Sequence, residues 1–271
     1  MAADVTDAGT TAPAAASKQH KPTKLRPYRH RFVVVYLALA AALGGAIAGV
    51  ILALGGVSVG KGTPNWSLWK PTASSDEAKA KEIAEHIGRE YRLPNGDQLL
   101  DVIAKRPSFS NATTTIPVKY VVVHGVAGKS DQQTELSADR SQMFSLCGLG
   151  DSCAIATGTP TVARGRLVRR EALELALYTF KYVGDIRYVI ALMPPRKGTI
   201  PTYALFFNRN DFEPELSRPL RATLQPKTPG VSTIPPRELV TIDRLTEPHM
   251  FKFSVSPSQQ GDLILVLSPA V

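Results

Sequence analysis

Two cysteines, Cys147 and Cys153, are the residues whose spacing points most directly to a covalent feature. They are the only 2 cysteines of the chain, and the segment between them includes Gly148 and Gly150. Because glycines allow a tight turn, this spacing predicts a disulfide in a compartment outside the membrane, where disulfides persist. A bridge across so short a loop is expected to stabilise the fold by about 2–2.5 kcal/mol. The spacing is not that of a C-x-x-C redox pair, and a zinc site would need two further ligands.

Four arginines at the start of a predicted helix form a second group with chemical potential. The helix is predicted over about 165–183, where apolar residues occupy most of its circumference. Its start carries Arg164, Arg166, Arg169 and Arg170. Cations at a helix N-terminus oppose the helix dipole, so the cluster has two interpretations. One is a candidate anion patch for cell-wall polymer or lipid phosphate. The other is a solvated helix end in which Arg170 pairs with Glu174 at i,i+4.

A serine-protease arrangement can be drawn from His124, an aspartate and Ser152, in that chain order. Ser152 lies in the common turn sequence Gly-Asp-Ser and beside Cys153, and a triad is defined by geometry rather than by chain order. The carboxylates are scattered over predicted helix surfaces and turns. We therefore expect no catalytic residue, no cofactor and no metal site. His124 and Ser152 are the candidates of an alternative, enzymatic interpretation.

The stretch 32–60 contains no charged residue and separates the chain into two unequal parts. At 1.5 Å per helical residue, roughly 20 residues cross the hydrocarbon core of a bilayer, so the stretch predicts one membrane-spanning helix. A cleaved signal peptide would have an apolar core of about 7–15 residues that ends in a small-residue cleavage site. This core is longer, and no A-x-A triplet ends it. The sequence therefore favours an uncleaved anchor.

Basic residues next to the stretch predict its orientation. Before it lie Lys18, Lys21, Lys24, Arg26, Arg29 and Arg31, and only Lys61 and Lys70 follow over a similar distance. Because basic residues close to a span stay on the cytoplasmic side, we expect a cytoplasmic N-terminus and an extracytoplasmic C-terminal domain. Residues 1–31 are predicted to be a disordered basic tail, 61–75 a juxtamembrane linker and 76–271 the domain. Trp66 and Trp69 are candidates for the outer membrane interface.

Small residues recur every four positions within the predicted span. Ala41, Gly45, Gly49 and Ala53 line one helix face. Such a face lets two helix backbones approach closely in lipid, so it is a candidate surface for self-association of the span. Glycine and alanine are common in spans, and a monomeric helix is the alternative.

The charge of the chain argues against a nucleic-acid protein. The formal net charge is +9, of which +4 lies within residues 1–31 and +5 beyond the span. The excess beyond the span is small and spread out, and the expected compartment holds no nucleic acid. We expect the membrane and a protein partner or a second copy of the chain as partners.

The domain is predicted to be α+β, with a mixed or largely antiparallel sheet and helices on one face. Helices are predicted at 76–91, 97–105 and 137–146 besides the one at 165–183, and strands at 116–124, 154–157, 185–193, 202–208, 250–256 and 263–267. The segment 209–236, rich in proline and arginine, is predicted to be a long surface excursion. The function that follows is a membrane-anchored envelope protein. Its outer domain would bind a partner protein or an envelope polymer, in a structural or assembly role. The alternative is a membrane-tethered hydrolase acting on envelope material.

Overall fold

A computed structural model describes residues 65–110, 114–125, 133–258 and 260–270. The predicted tail and the predicted span lie outside these residues. The helices are α1 (Asp76–Glu90), α2 (Val162–Tyr182), α3 (Glu213–Leu216) and α4 (Pro236–Thr246). The strands are β1 (Asp101–Lys105), β2 (Ser108–Ser110), β3 (Thr115–His124), β4 (Gln133–Ser137), β5 (Ser141–Cys147), β6 (Tyr188–Leu192), β7 (Tyr203–Asn208), β8 (Met250–Pro257) and β9 (Leu263–Pro269). Within the described ranges, no helix has the length and apolar character needed to cross a membrane.

The described strands form one mixed sheet in the order β1-β5-β6-β7-β8-β9-β3-β2, and β4 also pairs with β3. The pairs β5/β6 and β3/β9 are parallel, and the other pairs are antiparallel. β1 and β2, at the two ends of this order, are joined in the chain by Arg106 and Pro107. The amide of Val118 donates a 2.9 Å hydrogen bond to the carbonyl of Pro107. The parallel and antiparallel pairs, together with the helices, confirm the α+β class with a mixed sheet.

Side chains alternate along the strands, and they contribute to two apolar cores, one on each face of the sheet. On β5, Phe144 and Leu146 join the core that the helices share, whereas Met143 joins a second core on the other face. On β6, Ala191 and Ile190 divide in the same way. Both faces are buried along these strands, so their sequences are apolar with little visible alternation.

Helix α2 is the element against which the other helices pack. It begins where Thr161, its N-cap, accepts a hydrogen bond from the amide of Arg164, and it ends at Tyr182. The start lies three positions before the predicted one because the cap residue, and not Gly165, ends the preceding loop. α2 contacts α1, α3, α4 and strands β6 and β7. Most of its residues are buried, which confirms the prediction of a helix covered on several sides.

Two predicted helices are wrong, because tertiary pairing overrides the local apolar spacing. Residues 101–105, within the predicted helix 97–105, form β1 and pair antiparallel with β5. Residues 141–146 of the predicted helix 137–146 belong to β5, which lies between β1 and β6. The predicted strand at 154–157 is also wrong, since those residues are irregular. Residues Pro236–Thr246 form helix α4, and the predicted strands at 185–193 and 202–208 form the antiparallel pair β6/β7.

The first described residues pack on the domain rather than standing apart from it. The indole of Trp66 makes an edge contact with Tyr178 at 5.4 Å between ring centroids, and Trp69 stacks on His86 at 3.9 Å. Ser67 is buried and its hydroxyl lies 2.6 Å from that of Tyr182. The described part of the predicted linker therefore packs on the domain.

The segment 209–236 also packs on the domain. Its apolar side chains enter the core that the helices share. They are Phe212, Leu216, Leu220, Leu224 and Ile234. The segment is thus a cover over α2 as well as a surface excursion.

Candidate anion-binding site

The two cysteines form the predicted disulfide. The Sγ atoms of Cys147 and Cys153 are 2.03 Å apart, and the Cα atoms are 4.4 Å apart. The bridge closes the turn that follows β5. Gly148 is required within it, since a Cβ there would lie 2.2 Å from the carbonyl oxygen of Ala154. The bridge fixes the start of the irregular segment that leads into α2.

Two of the four predicted arginines bind one aspartate of α4. Arg166 donates to both carboxylate oxygens of Asp243, at 2.8 and 3.1 Å, and Arg169 also donates to Asp243. Arg169 reaches the hydroxyl of Thr246 at 2.9 Å as well. Burial alone would raise the pKa of Asp243, but these hydrogen bonds outweigh it and lower that pKa. Both cations are thus engaged within the protein.

Arg170 is the centre of a buried polar network. Its guanidinium donates to Glu238 at 2.8 Å and to Glu174 at 3.0 Å, so the predicted i,i+4 pair is present, although the end is not solvated. It also donates to the hydroxyl of Tyr91 and, at 2.8 Å, to the carbonyl of Gln225. Burial alone would lower the pKa of Arg170, but the neighbouring tyrosine and carboxylates raise it. This arginine stabilises the junction of α1, α2 and α4.

Arg164 differs from the other three arginines in having no carboxylate partner within the described residues. Its Nη1 donates a 2.8 Å hydrogen bond to the carbonyl oxygen of Thr157. The residue is only 8 % exposed. Burial lowers the pKa of its guanidinium from the ordinary value. A nearly buried, uncompensated guanidinium is the most unusual charge of this cluster.

Arg164 lines a cleft of about 290 Å³ between the segment 155–161, the N-terminal end of α2 and the β6/β7 turn. Arg196 and Lys197 of that turn line it too. Proline, glycine and apolar side chains provide most of the remaining lining, which includes no aspartate, glutamate, histidine or cysteine. All the charged residues that line the cleft are therefore cations. The positive end of the α2 dipole lies at the same place.

A second cleft, of about 360 Å³, has a different charge pattern. Its lining includes residues of β1 and of the β1/β2 connection. The acidic residues of the lining include Asp76, Asp139 and Asp185, and the basic ones are Lys105 and Arg106. Ser141 also borders it, but its hydroxyl is closed off from solvent and so is not available as a nucleophile. Charges of both signs offset each other here, and no single class of ligand is favoured.

The residues of the enzymatic interpretation are not brought together. His124 is the last residue of β3, and Ser152 lies in the disulfide turn with a positive φ of 54°. The contacts within the described part of the chain join neither residue to the other or to an aspartate. In those same ranges no group of three histidine, cysteine, aspartate or glutamate side chains could hold a metal ion. The helix-packing residues Ala41, Gly45, Gly49 and Ala53 lie outside the described residues, and their role stays a prediction.

Sequence reasoning identified Arg164 but missed Arg196 and Lys197. The signal that could have found them is the sequence Pro-Pro-Arg-Lys-Gly between two strands, which places two adjacent cations on a stiff turn. What the sequence could not supply is the approach of this turn to the start of α2.

Comparison of the chain with models of protein families, with curated proteins and with solved structures gives no match. The fold and the cleft are therefore the observations on which a function can be proposed.

Proposed function

We propose that the chain is a single-pass membrane-anchored protein of the cell envelope. Its domain beyond the span binds an envelope polymer or a partner protein in a structural or assembly role. In this proposal the uncharged stretch 32–60 is the anchor and the N-terminus is cytoplasmic, as its flanking charges favour.

The observation that supports binding is the positively charged cleft of Arg164, Arg196 and Lys197. A group of cations without an opposing acid attracts anionic ligands and raises their local concentration. The lining includes no carboxylate, imidazole or thiol that would act as a general base or as a thiolate nucleophile. A lining of cations with no such group favours a binding site over a catalytic one.

Sedimentation with envelope material tests this function. The full chain, purified in a neutral detergent, is mixed with the insoluble envelope fraction of the cells that make it and is centrifuged. We expect retention in the pellet that falls as the salt concentration rises, since screening weakens contacts between exposed charges.

Protease treatment of the envelope fraction before mixing separates the two ligand classes. Retention that survives the treatment identifies a polymer, and retention that disappears identifies a protein partner. A matched sample of the chain, unfolded by heat and cooled, controls for non-specific adsorption. Absence of retention by the untreated fraction at low salt would contradict the proposed function.

A further inference from the structure

We infer that the cleft of Arg164, Arg196 and Lys197 binds a phosphate group carried by an anionic envelope polymer. This inference rests on the proposed binding function and names its ligand class and its site. Arg164 is the phosphate-binding group at the base of the cleft, and the two cations of the β6/β7 turn hold the phosphate from the rim.

The chain around Arg164 is shaped to hold a guanidinium in place. The carbonyl of Thr157 accepts one of its N–H groups, and Thr161 caps the helix turn on which it stands. Gly158 has a φ of +73°, and a Cβ added there would lie 3.2 Å from Nη1 of Arg164. A guanidinium has five N–H donors in a fixed fork, so donors remain for a ligand after the bond to Thr157.

The charge of Arg164 is compensated less than that of its neighbours on α2. Arg166, Arg169 and Arg170 each form an ion pair with at least one carboxylate. Arg164 has a carbonyl partner but no carboxylate in the described ranges, and it is 8 % exposed. Burying a charge without an ion pair is unfavourable, and a bound anion would remove that cost. This asymmetry distinguishes a ligand-binding arginine from the structural ones.

The rim of the cleft is a rigid turn. Pro194 and Pro195 precede the two cations, and Gly198 follows with a φ of +80°. The amide and hydroxyl of Thr199 donate to the carbonyl of Arg196 at 3.0 and 2.8 Å. The side chains of Arg196 and Lys197 are exposed and form no ion pair among the described residues. Both are therefore free to contact a ligand held at Arg164.

A phosphate fits this arrangement better than a single carboxylate does. Three cations and the positive end of the 21-residue helix α2 converge on one cleft. A carboxylate needs one bidentate arginine, whereas a phosphate offers more oxygen atoms to further donors. The flat surface of a bilayer does not enter a cleft at whose base Arg164 is only 8 % exposed, but a phosphate on a flexible chain enters a cleft of about 290 Å³. We therefore assign the phosphate to a polymer.

A fluorescently labelled synthetic oligomer of glycerol phosphate is the probe, and anisotropy measures its affinity for the full chain in neutral detergent. Arg164→Lys keeps the charge and removes the fork, and we expect it to weaken binding about tenfold. The double variant Arg196→Gln/Lys197→Gln should weaken binding as well and should reduce its salt dependence. Its two side chains are exposed, so it tests the site even if Arg164→Lys fails to fold.

The matched control is Lys227→Gln/Arg237→Gln, which removes the same charge from exposed positions outside the cleft. It should leave the affinity within about twofold of the parent, as expected for surface changes. Equal affinities of the parent, of the double variant and of a folded Arg164→Lys would overturn the site. Equal binding of an oligomer of glutamate would overturn the choice of phosphate.

The last arm separates a polymer from a lipid headgroup. The full chain is placed in nanodiscs of phosphatidylcholine alone or with added phosphatidylglycerol, and the probe is titrated again. We expect the same affinity in both, and loss of probe binding with phosphatidylglycerol would assign the site to lipid instead. Envelope retention that persists in Arg164→Lys and in the double variant would leave the proposed function standing and would overturn this site.

Discussion

The guanidinium of Arg170 and the carboxylate of Glu238 form a 2.8 Å hydrogen bond, and the exposed fraction of neither side chain exceeds 4 %. The two residues are 68 positions apart and join α2 to the start of α4. The same oxygen of Glu238 accepts a 3.1 Å hydrogen bond from the amide of Gln225. Because the pair is buried, removal of one partner destabilises the protein far more than removal of one partner of a surface ion pair.

Removal of Arg170 should therefore be strongly destabilising. Arg170→Met leaves Glu238 buried without its cation, and we expect the free energy of unfolding to fall by about 3–5 kcal/mol. Urea denaturation of the full chain in neutral detergent, followed by tryptophan fluorescence, measures the change. Arg221→Gln, at an exposed position, should change it by less than about 0.5 kcal/mol. A loss below about 1 kcal/mol in Arg170→Met would contradict a structural role for the network.

Glu171 predicts a distinct dependence of stability on pH. Its side chain is fully buried, and neither carboxylate oxygen has a hydrogen-bond partner within the described structure. Burial, reinforced by the charge of Glu174, raises its pKa well above the ordinary value of 4.5. The folded state thus keeps a proton that the unfolded state releases. Its contribution to stability is full below pH 4.5 and is lost as the pH rises toward the folded pKa.

Glu171→Gln removes this titration while keeping the size of the side chain. The free energy of unfolding of the variant minus that of the parent should therefore increase between pH 5 and pH 7, by at most about 1.4 kcal/mol per pH unit. Denaturation curves at three pH values measure this difference. Glu85→Gln, at an exposed site of α1, is the control and should show a flat difference. A flat difference for Glu171→Gln would mean that Glu171 is ionised in the folded protein.

The disulfide should be local reinforcement rather than the source of the fold. Cys147 and Cys153 close a loop with a sequence separation of 6. The double variant Cys147→Ser/Cys153→Ser should lower the free energy of unfolding by about 2 kcal/mol and leave the circular dichroism spectrum unchanged. Non-reducing mass mapping of the parent should give a linked peptide. Two freely alkylated thiols in native parent protein would contradict the bridge.

The sequence predicted the elements whose apolar pattern has one consistent period. Helix α2 and strands β6 and β7 are of this kind. The disulfide was predicted for another reason: the spacing of the cysteines does not fit a redox pair, and a zinc site would need two further ligands. Strands β1 and β5 were missed because Leu99, Leu100 and Ile103 fit a helical spacing, and because β5 is apolar on both faces. Pairing with neighbours distant in the sequence decided both strands, and one-dimensional periodicity does not contain that information.

The candidate site shows the same division. The sequence located the arginines at the start of α2 but could not tell a paired arginine from an unpaired one. Asp243 and Glu238, which engage three of them, lie more than 60 residues further along the chain. The contribution of Arg196 and Lys197 likewise depends on a turn that only the folded sheet brings to the helix start.

The orientation of the anchor gives a prediction for intact cells. If 32–60 spans the membrane with a cytoplasmic N-terminus, a protease added outside wall-stripped cells should cleave in the domain and spare a tag at Met1. Immunoblotting against tags at both ends measures the outcome, and permeabilised cells, in which both tags should be lost, are the control. Protection of the C-terminal tag in intact cells would reverse the orientation and remove the extracytoplasmic compartment from the proposal.

If two copies of the predicted span pack together, the small residues are the face through which they do so. Gly45 and Gly49 lie about one turn apart, and Ala41 and Ala53 extend the same face. A bulky side chain there would hold two helix backbones apart and remove their close dispersion contacts. Gly45→Ile and Gly49→Ile should therefore weaken dimerisation of the isolated span in a bilayer reporter assay.

The matched controls lie off that face of the span. Gly44→Ile and Gly55→Ile add the same side chain, so membrane insertion should be equal in all four variants. Dimerisation of these two control variants should be closer to that of the parent than dimerisation of Gly45→Ile and Gly49→Ile. If all four variants give equal dimer signals, or if the parent gives none, the span is a plain tether. Any assembly of the protein would then depend on the domain, because lipid supplies no hydrophobic force that pairs a helix without a close-packing face.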